Sequence, residues 1–280
     1  MASSVSYRRA IAELAAELGC ADDEEAVFDV RLSREPDEYA ASLLRATGTD
    51  VLLLDDGFPA PGEGFGWQVM GELAASRVRP VMRIEALARP EIDVATARAH
   101  GFAALKTIAA YRGGLRLDDE HPLWRVLKAN EQTGDPLPVQ VHCGFGDSDL
   151  LLPLADPGWL KPLLERFPQT EFVLLHCYPF VREAGWLAHV YANVSFDLSL
   201  TIPYVSRAAE MLREALELAP VSKLLYASDA ALAPELYFLA AKRWREALSE
   251  VLPELLPGDQ AEEAGRSILR ENGLRLYRLG

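Results

Sequence analysis

Short apolar runs alternate with longer amphipathic segments along most of the chain, and this alternation limits the folds that it can adopt. Each run is bounded by Gly, Pro or Asp and lacks polar alternation, which is typical of strands buried on both faces. The segments between the runs carry apolar residues at helical spacing. Strands that alternate with helices predict parallel βαβ units. The seven runs are Val51–Leu54, Val78–Ile84, Phe102–Ile108, Pro138–His142, Phe172–His176, Val194–Leu200 and Lys223–Ala227.

Two α/β architectures accommodate such a series, a closed (β/α)8 barrel and an open, doubly wound sheet. We favour the barrel because the sequence has no Gly-rich dinucleotide loop and because polar residues cluster where the runs end. The 280 residues also suit a single barrel of about 250 residues. We expect residues 50–280 to form the barrel and residues 1–49 to form a helical segment of the same structural unit. The helices predicted in that segment are Tyr7–Leu18, Asp23–Leu32 and Asp37–Ala46.

The composition restricts the partners and the location of the protein. Its 28 Lys and Arg residues against 42 Asp and Glu residues give a net charge of −14, which repels nucleic-acid phosphates and anionic membranes. The three cysteines cannot form a paired disulfide framework, and the sequence has neither a signal-peptide core nor an apolar run of about 18 residues. We therefore expect a cytoplasmic protein that binds a small-molecule substrate rather than nucleic acid or a membrane.

Titratable side chains stand where several apolar runs end. His142 and His176 end two runs, Asp229 follows the last run, and Lys106 lies inside a fourth. Because the carboxyl ends of parallel barrel strands share one face, we expect these side chains to lie close together. Two imidazoles and a carboxylate suit zinc, with water or another ligand completing the shell. Taken alone, however, a histidine on a buried strand is as often a core residue that donates to a carbonyl.

Four stretches of the sequence resemble the amidohydrolase-related family of metal-dependent barrels. They are Gly101–Arg112, His142–Asp149, Leu174–Pro179 and Tyr226–Asp229, and the tail Glu271–Tyr277 is similar to the final helix of that family. Within the family, the sequence resembles the amidohydrolase domain that precedes glutamine-synthetase-like domains in fungal and plant proteins. The resemblance implies a TIM-type (β/α)8 metal-dependent hydrolase barrel with extra N-terminal helices.

The resemblance also implies roles for individual residues. His142 matches the metal ligand of the fifth strand of the family, and His176 matches a sixth-strand histidine that binds metal or contacts the substrate. Asp229 matches the eighth-strand aspartate that binds metal and takes a proton from the attacking water. Lys106 occupies the place where some relatives carry a carbamylated, metal-bridging lysine. We therefore expect Asp229, His176 and Lys106 to be catalytic, and His142, His176 and Asp229 to bind a divalent metal, by default zinc.

Three further residues are expected to contact the substrate. Arg112 is suited to a substrate carboxylate because the planar guanidinium fork matches that group. Tyr111, its neighbour in the sequence, belongs to the same predicted substrate site. Glu85 follows the strand that contains Arg83, and it is as well suited to a structural ion pair with Lys106 or Arg83 as to a role in the site.

One part of the family pattern is missing from this sequence. The family begins with a strand that ends in His-x-His and supplies two metal ligands, whereas this sequence has no His-x-His. Its first recognisable stretch, Tyr7–Cys20, resembles the helical segment beyond that strand. We therefore expect a barrel without its first strand, explained by a gene start placed too late or a fragment, by a natural variant that lost metal, or by a strand supplied by a second polypeptide.

A barrel that lacks a strand has two unpaired edges, which favour association. We expect a homo-oligomer, a partner chain, a distorted closure or a substitute element at that position. With a complete site, the expected reaction is metal-assisted hydrolysis of a small amide, lactone or related acyl compound, with Asp229 as the general base. The alternatives are a metal-poor or inactive barrel that serves binding or assembly, and a metal-dependent decarboxylase of the same family.

Overall fold

Seven parallel strands form one sheet in the computed structural model, which describes residues 4–55, 66–87 and 89–280. Each strand pairs with the next along the chain, so the order in the sheet is the order in the sequence. This sequential order is that of a (β/α) barrel and excludes the doubly wound sheet, whose strand order reverses at a switch point. The strands are β1 (Val51–Asp55), β2 (Arg77–Arg83), β3 (Ala104–Thr107), β4 (Val139–Cys143), β5 (Phe172–His176), β6 (Val194–Asp197) and β7 (Leu224–Leu225).

Helices fill the connections between the strands and precede the first one. Within the described residues, no helix combines the length and the apolar character that crossing a membrane requires. The helices are α1 (Val5–Leu18), α2 (Glu24–Ser33), α3 (Pro36–Ala46), α4 (Trp67–Ala74), α5 (Pro90–Ala97), α6 (Pro122–Gln132), α7 (Lys161–Arg166), α8 (Val181–Val190), α9 (Thr201–Tyr204), α10 (Ala208–Leu216), α11 (Pro234–Leu255), α12 (Asp259–Arg266) and α13 (Asn272–Leu276).

The predicted N-terminal helices are present with nearly the expected ends, because capping side chains fix where they begin. The Ser4 hydroxyl accepts from the backbone N–H of Tyr7 at 3.2 Å, and the Asp23 carboxylate accepts from that of Ala26 at 2.8 Å. Several strands are shorter than the apolar runs that predicted them. At β7, for example, only two residues pair with β6, since Lys223 belongs to a preceding 3-10 turn.

The side chains of the sheet alternate between two cores, and the inner one shows that the sheet curls. Outward-facing residues of β3 to β6 pack against the helices. Inward-facing residues of five strands instead meet one another, together with Tyr277 from the C-terminal segment. Strands as distant in the sheet as β1 and β7 share this inner cluster only if the sheet closes on itself, which confirms the barrel. Its strand residues are Leu53, Val81, Ala104, Val173, Leu175 and Leu225.

Two elements that are not strands fill the gap between β7 and β1. On the outside, α3 packs against both α4 and α11 and so continues the helical layer across the gap. At the edge of β7, the Asn272 side chain donates to the carbonyl of Leu224 at 2.9 Å. Arg270, in the same C-terminal segment, pairs with Asp50 beside β1 at 2.8 Å. Within the described part of the chain, a substitute element therefore lies where the first strand of the family was expected; a partner chain there stays a prediction.

Candidate active site

A polar layer lies above the apolar inner cluster, at the carboxyl ends of the strands. Five strands carry a polar residue at their last or next-to-last position, two residues after an inward-facing one, and such a residue also points into the barrel. The sequence therefore places a ring of charged and imidazole side chains where barrels of this kind carry their chemistry. These residues are Asp55 in β1, Arg83 in β2, Lys106 in β3, His142 in β4 and Asp197 in β6.

The β1–β3 side of this layer is a network of paired charges. Asp55 accepts a hydrogen bond from Nε of Arg83 at 3.0 Å and also contacts Nη2 of the same guanidinium. The ammonium of Lys106 lies 3.3 Å from Oδ2 of Asp55. All three side chains are mostly buried, and burial of such charges is tolerated because the carboxylate lies against both cations.

The β4–β5 side holds two neighbouring histidines instead, with their rings tilted by 59°. The ring centroids of His142 and His176 lie 4.5 Å apart, and the residues are 5% and 1% exposed. Burial, helped by the neighbouring His176 and by the charge of Lys106, lowers the pKa of His142 to about 2. Burial and the same Lys106 charge hold the pKa of His176 well below its ordinary value. Both rings are therefore neutral, and the Nε2 atom of each is buried without a hydrogen-bond partner.

His176 reaches this position through an unusual backbone conformation. Strand alternation would place it on the outward face with Leu174, but His176 and Cys177 have φ values of +67° and +64°. Residues other than Gly rarely adopt this left-handed backbone conformation, because it costs about 1–3 kcal/mol, and residues that do adopt it cluster at functional sites. The surroundings hold the conformation: Asp197 Oδ1 accepts from the His176 N–H at 2.8 Å, and the Thr201 hydroxyl donates to the His176 carbonyl at 2.6 Å.

Asp229 lies between the charge network and the histidines. Its Oδ1 is 3.9 Å from Nζ of Lys106, and its Oδ2 is 3.8 Å from Nδ1 of His176. Its φ of +47° places it in the same rare region of the backbone map. Burial raises the pKa of Asp229 even though Lys106 and His142 oppose that shift. A carboxylate with increased proton affinity beside two neutral imidazoles is suited to general acid–base chemistry.

The structure brings Tyr111 to the same histidines. Its ring centroid is 4.7 Å from that of His142, and its hydroxyl accepts from the backbone N–H of Asp147 at 3.1 Å. Gly146 makes room for this contact, because a Cβ there would lie 1.7 Å from the Tyr111 hydroxyl oxygen. Tyr111 therefore forms a wall of the site beside His142.

Glu85 and Arg112 lie further from the centre. Glu85 is exposed, and its Oε1 accepts from the Thr107 hydroxyl at 2.6 Å and from the Ile108 N–H at 2.8 Å. These bonds tie the turn after β2 to the end of β3, and both ion-pair partners considered for Glu85, Lys106 and Arg83, contact Asp55. Arg112 is exposed, and its Nη1 lies 3.4 Å from the carbonyl of the preceding residue.

Three residues in or beside the polar layer, Asp55, Asp197 and Ser199, carried no assigned role in the sequence prediction. The sequence predicts a turn at Asp55 because Asp56 and Gly57 follow it, although Asp55 occupies an inward-facing position of β1. Asp197 is fully buried, and burial raises its pKa to about 6, so it is ionised at neutral pH. Ser199 stands outside any motif and contacts both Asp197 and His176. A search for inward positions at strand ends would have found the two aspartates.

The described residues fit a divalent metal only in part. In residues 4–55, 66–87 and 89–280, no three His, Cys, Asp or Glu side chains are grouped closely enough to hold a metal ion. The unpartnered Nε2 atoms of His142 and His176 nevertheless supply the donor type that zinc takes from proteins. These two atoms fit a metal held by a pair of imidazoles, with the remaining ligands coming from outside the pair.

Several known proteins resemble this chain. It is 41% identical over 162 residues to the protein fluG of Emericella nidulans, an alignment covering 55% of this chain and 19% of that relative. A Lactobacillus casei ATCC 334 protein described as a metal-dependent hydrolase has a similar structure, with 30% identity, a TM-score of 0.86 and coverage of 99% of this chain and 85% of the other. An uncharacterised TIM-barrel protein of Bordetella bronchiseptica shares the fold at 17% identity and a TM-score of 0.59, over 96% and 89% of the two chains.

The family assignment rests on a longer match than the fluG alignment, which spans 19% of that relative. Residues 65–279 match the sequence profile of the amidohydrolase family, which is well over half of the 280 residues. This range includes β2 to β7 and five of the predicted site residues that meet at the barrel mouth: Lys106, Tyr111, His142, His176 and Asp229. The chain therefore belongs to the amidohydrolase family.

Proposed function

We propose that this chain is a metal-dependent hydrolase that cleaves a small amide, lactone or related acyl compound, with Asp229 as the general base. The observation that carries the proposal is the place of Asp229, 3.8 Å from a neutral imidazole and 3.9 Å from an ammonium. Membership of the amidohydrolase family and the Lactobacillus casei structure, described as a metal-dependent hydrolase, support it.

The two histidines are the residues that would hold the metal, with Asp229 as a third ligand. Their Nε2 atoms are buried, lack partners and belong to rings that burial keeps neutral. A divalent metal, zinc by default, supplies Lewis acidity there when bound, and lowers the pKa of water to about 7. Asp229 then receives a proton from the attacking water and returns it to the leaving group, a transfer that its raised pKa favours.

The remaining residues bind and orient. Nζ of Lys106 lies 3.3 Å from Asp55, and its positive charge attracts negative charge that develops on the acyl oxygen. A carbamylated Lys106 would instead bring a second negative charge against Asp55. Tyr111 covers one side of His142. Arg112, exposed beside Tyr111, is suited to the carboxylate of an anionic substrate.

Metal analysis combined with hydrolysis assays tests the proposal. Wild-type protein should bind zinc, manganese or iron and hydrolyse members of a panel of small amides and lactones, with and without a carboxylate. His142→Ala should lose metal and activity, while Asp229→Asn, which removes an expected ligand together with the general base, should weaken metal binding and lose activity. The matched controls are His189→Ala and Asp119→Asn, which change exposed residues of the same types. Wild-type protein that neither binds a metal nor gains activity from one would rule the proposal out.

A second candidate function is a barrel that binds or assembles without catalysis. The observation in its favour is that the described residues contain no group of three potential metal ligands. This candidate predicts that His142→Ala and Asp229→Ala leave partner binding unchanged, whereas the hydrolase loses activity with either change. A decarboxylase of the same family would release CO2 from a carboxylated member of the panel, which CO2 detection in the same reactions would record.

A further inference from the structure

A buried chain of three polar groups runs from β6 to the histidine of β5. The hydroxyl of Ser199 donates to Oδ1 of Asp197 at 2.7 Å, and Nδ1 of His176 lies 2.6 Å from the same hydroxyl oxygen. The residues are only 1–2% exposed, so water does not compete for these contacts. The chain ends at the imidazole whose Nε2 has no partner.

The chemistry of the chain fixes where its protons lie. An ionised carboxylate only accepts hydrogen bonds, and Oδ1 of Asp197 accepts from the backbone N–H groups of His176 and Ser199 as well as from the Ser199 hydroxyl. The single hydroxyl proton of Ser199 therefore points to Asp197. At 2.6 Å, its oxygen needs a proton from Nδ1 of His176, because two lone pairs at that distance would repel.

A neutral imidazole carries one N–H, so a proton on Nδ1 leaves Nε2 with its lone pair. We propose that Ser199 and Asp197 are positioning residues that hold His176 as the Nδ1–H tautomer, so that an unprotonated Nε2 stays at the site. The inference rests on the proposed function only in assigning that lone pair to metal binding. Partners of this kind orient the histidines of metal sites and set their tautomer.

A purely structural role makes a different prediction. Asp197 also accepts from the His176 backbone N–H and thereby supports the left-handed end of β5. If that were its whole contribution, removing the Ser199 hydroxyl would leave the tautomer of His176 unchanged. The tautomer therefore separates the two roles, and it can be read without substrate, activity or metal.

Nitrogen NMR of metal-free protein labelled at its histidine rings tests the inference at pH 7.5. His176→Gln identifies the His176 signals by their loss. In the wild type, Nδ1 of His176 should resonate as a protonated nitrogen and Nε2 as an unprotonated one. Ser199→Ala should shift both signals towards the other tautomer, and Ser199→Thr, which keeps the hydroxyl, should restore them. Ser195→Ala, which changes a buried serine on β6 outside these contacts, is the control and should leave the signals in place.

Asp197→Asn is a second, independent variant. The amide should keep Oδ1 towards the backbone N–H groups of His176 and Ser199, which both donate to it, so the Ser199 hydroxyl keeps its acceptor and the ring should stay in the Nδ1–H form. Wild-type protein with a proton on Nε2 of His176 would overturn the inference even if every variant failed to fold. An unchanged tautomer in folded Ser199→Ala would overturn it as well.

Zinc titration separates this inference from the proposed function. Ser199→Ala should bind zinc about 10- to 100-fold more weakly than the wild type, and Ser199→Thr should recover the affinity. Equal zinc affinity of wild type and folded Ser199→Ala would contradict the positioning role. Wild-type protein with the expected tautomer but no zinc affinity would contradict the proposed metal chemistry and support the tautomer assignment.

Discussion

The two halves of the polar layer solve the problem of burial in different ways. On the β1–β3 side, charged groups are buried together, and the carboxylate of Asp55 contacts both Arg83 and Lys106. On the β4–β5 side, His142 and His176 are buried uncharged and keep two ring nitrogens without partners. Asp229 lies within 4 Å of both sides.

This difference distinguishes the side of the layer that stabilises the fold from the side that is suited to binding and chemistry. Paired charges provide a fixed local field, and any change in one of them leaves another charge exposed to a poorly solvating interior. Unpartnered imidazole nitrogens are a cost that a protein tolerates where a ligand or a proton is to be bound. We therefore expect substitutions on the charged side to act mainly on stability, and substitutions on the histidine side to act mainly on binding and on pH dependence.

The largest expected effect comes from breaking the charged side. Asp55→Asn keeps the shape of the side chain but leaves Arg83 and Lys106 without the carboxylate that both contact. Removing one member of a buried ion pair costs about 3–5 kcal/mol, and we expect a loss near the lower limit because Asp229 remains 3.9 Å from Lys106. Urea denaturation monitored by circular dichroism measures the change.

The exposed pair between Asp50 and Arg270 provides the matched control. It also joins an aspartate to an arginine, at 2.8 Å, but both side chains are more than half exposed. Asp50→Asn should change the free energy of unfolding by less than about 1 kcal/mol. Equal effects of the two substitutions would show that the β1–β3 charges are screened by solvent and are not a buried network.

The next largest effect tests how tightly the histidine side is packed. In Gly146→Ala, the added Cβ would lie 1.7 Å from the Tyr111 hydroxyl oxygen and 3.1 Å from Nε2 of His142. Tyr111 has to move away, and overpacking of this kind costs about 1–3 kcal/mol. Gly273→Ala is the control, because a Cβ at Gly273 meets nothing within 4 Å. Thermal unfolding of the two variants should show a loss of stability for the first alone.

The fold could be predicted from the sequence because its signal is repeated. Seven apolar runs indicate seven strands even where single boundaries are wrong, as at Lys223 in the turn before β7. The same alternation rule places Lys106 and His142 inside the barrel. It fails for His176, because the backbone becomes left-handed there and turns the side chain inwards. No local sequence pattern predicts this left-handed conformation, because the hydrogen bonds that support it come from β6 and from residues that follow β6.

The pairings within the site were harder to predict than its members. Asp55 stands in an Asp-Asp-Gly sequence that favours a turn, so local chemistry competed with its inward position. Lys106 and Arg83 were the alternative ion-pair partners considered for Glu85, yet both contact Asp55, because pairing depends on side-chain reach across the barrel mouth, which sequence spacing does not determine. Ser199 acts through two partners from β5 and β6, and its identity carries no signal without them.

A third prediction uses pH to separate the two sides. The folded protein holds the pKa of His142 at about 2, against 6.5 for an ordinary histidine, so below pH 6.5 the unfolded chain takes up a proton that the folded chain does not. Stability is therefore lost as the pH falls, by about 1.4 kcal/mol per pH unit from this group alone. His142→Gln should lack that part of the slope.

Urea denaturation of chelator-treated protein at pH 7.5, 6.5 and 5.5 gives the slope. Comparison of each variant with the wild type cancels the opposite contribution of Asp197, whose pKa is raised to about 6. His189→Gln removes an exposed imidazole on α8 and should retain the wild-type slope. An equal slope in wild type and His142→Gln would mean that His142 is accessible to protons in the folded protein.

The smallest expected effect concerns Asp229, which links the two sides. Because the pKa of Asp229 is raised, the folded protein holds the proton of this carboxyl more tightly than the unfolded chain does. Stability therefore falls as the pH rises from the pKa of the unfolded chain through that of the folded protein. At neutral pH, Asp229→Asn should therefore raise Tm, by no more than about 2 °C because the side chain is one-third exposed. The gain should vanish in acid, where Asp229 is protonated in both states.

A double-mutant cycle with Lys106→Met shows to which side Asp229 belongs. Lys106 is the main group that opposes the rise in the pKa of Asp229, so its removal should increase the gain in Tm from Asp229→Asn. The rise in calorimetric Tm caused by Asp229→Asn should thus be larger in the Lys106→Met background than in the wild type. A lower Tm for Asp229→Asn at neutral pH would instead place Asp229 with the paired charges. The attraction to Lys106 lost with the carboxylate would then be larger than the cost of burying that carboxylate.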